Sequence, residues 1–81
     1  MTKQQIANYI VKKANECFEY ANDIPLLDVK KEQQAQIFAY WEMYLNCFAN
    51  GNVFDETCEI FKNMYMSLEE QISNGYAEIF K

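Results

Sequence analysis

Only two glycines and one proline interrupt this 81-residue chain, and Pro25, Gly51 and Gly75 stand far apart. So few breakers leave no material for the repeated tight turns of a small β-sandwich or barrel. Between them, apolar side chains recur every three or four residues, the period of a helix with one buried face. The chain is therefore expected to be all-α.

Thr2 followed by Gln5 has the spacing of a capping box, in which each side chain satisfies an early backbone N–H of the other. Ile6, Ala7, Ile10, Val11, Ala14, Cys17, Phe18 and Ala21 then share one face, with Lys12, Lys13, Glu16 and Glu19 pointing away. A first helix is expected over residues 2–22, with Tyr9 and Tyr20 beside its stripe. Asn22-Asp23-Ile24-Pro25 breaks it, because the residue before proline is driven out of helical conformation. Leu26 and Leu27 are expected to plug the end of the core.

Asp28 is a candidate N-cap for a second helix over 28–50, stopped by Gly51. Its densest stretch is Ile37 to Phe48, where Ile37, Tyr40, Trp41, Tyr44, Leu45 and Phe48 are expected to be the core scaffold, flanked by Cys47. Lys30 to Gln36 carries little that is apolar, so the helix is expected either to project a polar N-terminal end beyond the core or to begin later than its cap suggests. Asn52 and Asp55 offer caps for a third helix over 52–80. Its stripe is Phe54, Cys58, Phe61, Met64, Tyr65, Leu68 and Ile72; Tyr76 and Ile79 continue it past Gly75, which favours a continuous helix over an end at Asn74-Gly75 with residues 76–81 as a short return. Short connections between long helices favour antiparallel neighbours, so the expected fold is one up-down-up three-helix bundle spanning residues 1–81. Apolar groups left off the stripes make a homodimer, completing a larger bundle, the alternative.

Composition excludes several kinds of function. The chain has no histidine, every basic residue is lysine, and the formal net charge is −5. Without histidine the commonest general base and metal ligand is missing, and no serine or threonine has an activating partner. Without arginine, bidentate phosphate and base recognition is lost, and the net charge repels nucleic acid and anionic membranes. Cys17, Cys47 and Cys58 lie on or beside apolar stripes, too far apart for a zinc cluster, and are expected to be buried free thiols. No stretch has signal-peptide or membrane-spanning character, and a cytoplasmic location is expected. A non-enzymatic protein with no cofactor and no metal is the consequence.

The distribution of charge says more than its sum. Residues 1–31 hold five lysines against four acids, whereas residues 32–81 hold two lysines against eight acids. Asp55, Glu56, Glu59 and Glu70 fall in one outward sector of the third helix, with Glu69 adjoining and Lys62 interrupting. Carboxylates one turn apart lie about 5 Å apart along the axis, comparable with neighbouring phosphates on a nucleic-acid strand. Phe38 and Met66 point away from the stripes and are candidate apolar contacts, since aromatics and methionine are enriched in interface cores. Asp55, Glu56, Glu59, Glu69, Glu70, Phe38 and Met66 are thus the candidate partner-binding residues.

The expected function is a small acidic inhibitor or regulator that binds a protein with a basic surface. Size and composition suit a phage or mobile-element product that blocks a host nucleic-acid-processing complex, of anti-CRISPR or nucleic-acid-mimic type. The alternatives are a homodimeric structural or adaptor protein, and an immunity or antitoxin protein that binds a toxin.

Overall fold

The computed structural model describes residues 1–80 and contains three helices: α1 (Lys3–Asp23), α2 (Leu27–Cys47) and α3 (Glu56–Ile79). The chain is a small all-α three-helix bundle. α2 lies between the others and packs on both, while α1 and α3 touch each other less. Side-chain pairs fix the directions. Lys30 meets Gln71, Gln34 meets Glu69 and Tyr44 meets Phe61, so α2 and α3 run antiparallel. The bundle measures 48 × 22 × 15 Å, and its radius of gyration of 13.7 Å exceeds the value of about 12 Å for a compact chain of this length.

α1 starts as its sequence dictates. Thr2 Oγ1 accepts from the Gln5 N–H at 3.1 Å, and Gln5 Oε1 accepts from the Thr2 N–H at 2.8 Å. α2 does not start as expected. Pro25 drives the preceding Ile24 into extended conformation, Leu26, also extended, takes the cap position without a side-chain bond, and the Lys30 N–H donates to its carbonyl. Asp28 falls two residues past the cap, in the first turn, where its charge still faces the positive end of the helix dipole.

The second and third helices are both shorter than expected, because the chain needs eight residues to turn between them. α2 ends at Cys47, the N–H groups of Phe48 and Ala49 both reach back to the Tyr44 carbonyl, and Gly51 N–H donates to Leu45. Asn50 and Gly51 then take positive φ values of 51° and 79°. Asp55, not Asn52, caps α3, its carboxylate accepting from the Thr57 N–H at 2.8 Å. Phe54 consequently precedes the helix and is 90 % exposed instead of joining the apolar stripe.

α3 runs through Gly75 as expected, and the structure supplies the reason for a glycine there. Leu27, at the start of α2, lies over it, and a Cβ at that position would sit 3.2 Å from Leu27 Cγ. Leu27 is therefore half-buried, whereas Leu26 is 63 % exposed and plugs nothing.

The core joins all three helices. α1 contributes mainly small residues (Ala7, Ala14 and Ala21 with Ile10), and α3 contributes the bulk: Cys58, Phe61, Met64, Leu68 and Ile72. From Ile37 to Phe48 only Ile37 and Tyr44 are buried, while Tyr40, Trp41, Leu45 and Phe48 pack at the margin. Only Cys58 meets the expectation for the thiols; Cys17 is intermediate and Cys47 exposed.

The polar start of α2 does not project beyond the core. Lys30 is 8 % exposed, and its ammonium donates to the Ala21 carbonyl at 2.7 Å and to Gln71 Oε1 at 2.8 Å. Ala21 lies in the last turn of α1, which has no basic residue of its own. Lys30 thus brings a cation to the negative end of that helix. Gln71 in turn donates to Asn22 Oδ1 at 2.8 Å, so one polar knot ties the three helices at this end.

Candidate protein-binding surface

On α3, the residues opposite the core stripe form an exposed row: Glu56, Glu59, Asn63, Met66 and Glu70 follow at spacings of three and four. Met66 is 52 % exposed and, with Asn63, Ser67, Glu69, Glu70 and Ser73, lines a shallow open depression. Three of the sequence-identified residues, Met66, Glu69 and Glu70, therefore meet at one place. Glu56, Glu59 and Glu70 form no ion pair among the described residues, and Lys62, exposed in the same stretch, forms none with them either.

Asp55 and Glu69 are differently placed. Asp55 Oδ1 accepts both the Thr57 N–H and, at 2.9 Å, the Tyr44 hydroxyl, so this carboxylate is committed to the junction of α2 and α3. The Thr57 side chain favours the Tyr44 phenolate, but burial and the adjacent Asp55 carboxylate outweigh it and hold the phenol above its ordinary pKa. Glu69 Oε2 accepts from Gln34 Nε2 at 2.7 Å, which ties it to α2. Its outer face stays open to solvent.

Phe38 belongs to an aromatic cluster on the α2/α3 side of the bundle. Its ring packs against Tyr65 at 5.8 Å and edge-on against Trp41 at 6.2 Å, sealing the α2/α3 seam while remaining 43 % exposed. The Trp41 indole N–H is buried and makes no hydrogen bond of full geometry, its one polar influence falling on the Cys58 thiol. Burial pushes the Cys58 thiol pKa up, against an opposing pull from Trp41, and burial likewise raises Cys17. Both shifts run opposite to the lowering that activates a nucleophilic cysteine.

No protein-family model, curated protein or solved structure matches this chain. The described residues bring together no group of three or more potential metal-ligating side chains, and no helix is long and apolar enough to cross a membrane. What the molecule presents instead is surface. One part is the row of unpaired carboxylates on α3. A second is the apolar end of the bundle, where Leu26, Ile79 and Phe80 are 63 %, 64 % and 80 % exposed. There Tyr76 stacks on Phe80, and the Lys31 ammonium lies 4.6 Å from the Tyr76 ring centre.

The apolar end and Phe54 were missed in the sequence for the same reason. Phe54 and Ile79 continue a helical stripe in register, Leu26 stands where a plug of the core is expected, and only the position of the neighbouring elements shows that nothing covers them.

Proposed function

We propose that this protein is a non-enzymatic cytoplasmic inhibitor that lays the acidic face of α3 into a basic groove of a partner protein, in the manner of a nucleic-acid strand. The observation that supports this most is the state of Glu56, Glu59 and Glu70: exposed, aligned along one face of α3 and unpaired with any cation among the described residues. Such a row keeps its field available for steering a cationic partner. Met66 lies within the row and supplies apolar contact, while Asp55 and Glu69 hold the backbone and the α2 flank in place. A nucleic-acid-processing complex, including a CRISPR effector attacked by a phage product, has the required groove.

Affinity capture from a bacterial lysate, with elution by salt and by heparin, tests this. The partner is expected to be retained at low salt, displaced by heparin, and lost when Glu56→Lys and Glu59→Lys are combined. Retention that ignores all three treatments would refute an electrostatic, strand-like mode.

A further inference from the structure

Among the exposed large apolar residues, Phe54 stands out at 90 % exposure, with Val53 beside it at 53 %. No core contact requires a phenyl ring there. Yet the loop that carries it is closely specified. Asn52 N–H donates to the Ala49 carbonyl at 2.9 Å, Asn52 Oδ1 accepts from the Phe54 N–H at 3.1 Å, and Asp55 N–H donates to the Asn52 carbonyl at 3.2 Å. Asp55 is in turn fixed by Thr57 and by the Tyr44 hydroxyl. Phe54 is thus bracketed by two anchored residues, and its backbone is ordered before any partner arrives. Pre-ordering of this kind removes much of the entropy cost that binding otherwise meets. Immediately after the ring come Glu56 and Glu59, exposed and unpaired in the first turn of α3.

We propose that Phe54 is an anchor that inserts into an apolar pocket ringed by lysine or arginine on a partner protein, with Glu56 and Glu59 meeting the ring of cations. An aromatic side chain in a desolvated pocket, surrounded by polar contacts that exclude water, is the usual form of an interface hot spot. Sites that hold unstacked bases join an apolar stacking surface to cations in the same way. The charge expected of the pocket rests on the acidic-face function proposed above; the anchor itself rests on the loop.

A host of defined chemistry tests both parts. β-Cyclodextrin bearing an ammonium group on every sugar unit offers an apolar cavity with a cationic rim, and plain β-cyclodextrin offers the cavity alone. Titration of either host into the isotopically labelled full chain, followed by amide chemical shifts, is expected to move residues 53–59 first. The cationic host should bind about tenfold more tightly than the neutral one. Phe54→Ala should abolish that site without changing the melting temperature, and Glu56→Gln with Glu59→Gln should reduce the cationic host to the affinity of the neutral one. If Phe54→Ala binds the cationic host as well as the parent, or if Phe80 or Tyr9 is the preferred site, the anchor is refuted while the acidic face stands. If Phe54→Ala abolishes binding but the glutamine variants do not weaken it, the basic rim is refuted and the acidic-face mechanism loses its support. A concentration-dependent dimer that disappears in Phe54→Ala would make a second copy of this chain the occupant and overturn the proposal.

Discussion

Single residues divide here into those that hold the bundle and those that only decorate it. Phe61 is fully buried, and Phe61→Ala is expected to cost about 3–5 kcal/mol, whereas the half-buried Trp41 should cost less on truncation; denaturant midpoints of the two variants check the order. Lys30 is the polar counterpart. Lys30→Met keeps the aliphatic stem but leaves the Ala21 carbonyl and Gln71 Oε1 without their donor, at a cost of about 1–3 kcal/mol. Amide exchange should quicken selectively at the end of α1. Tyr44 sets an alkaline limit. Because its folded-state pKa is raised above about 10, its contribution is fully present below the unfolded pKa and is lost as pH rises through the folded one. Stability is therefore expected to decline above about pH 10 as the phenolate forms against Asp55, and Tyr44→Phe should flatten that decline in pH-dependent melting. The capping role of Thr2 and Gln5 was legible in the sequence, since both partners lie within one turn. The role of Lys30 was not, because its acceptors lie 9 and 41 residues away.

At the scale of elements, period and breakers were enough to name three helices and most of the α3 stripe. They were not enough to place the ends. Asn52 and Asp55 both have the chemistry of a cap, and the choice fell to Asp55 because Tyr44, on another helix, holds the same carboxylate. That choice removed Phe54 from the core. Gly75 shows the opposite case, a breaker residue kept inside a helix by a close neighbour. In the middle of a helix, glycine to alanine ordinarily gains about 1 kcal/mol. Gly75→Ala is expected to forfeit that gain against Leu27 and to recover it in a Leu27→Ala background. A double-mutant cycle on urea unfolding measures this coupling directly, and additivity would show that the two side chains do not meet.

For the whole molecule, the candidate site was legible as a set of charges and not as a surface. Helical register aligned Glu56, Glu59 and Glu70, but the engagement of Asp55 and Glu69 with neighbouring helices needed the fold. Because the free carboxylates contribute nothing to packing, Glu59→Gln is expected to change folding stability by less than about 0.5 kcal/mol while weakening partner capture, a separation that calorimetry and capture together can verify. Finally, Trp41 is the sole tryptophan of the chain and lies where α2 meets α3, packed against Phe38 and Tyr65. The bundle therefore carries an intrinsic optical gauge at one seam. Any event that prises α2 from α3 will shift its emission to the red without a label.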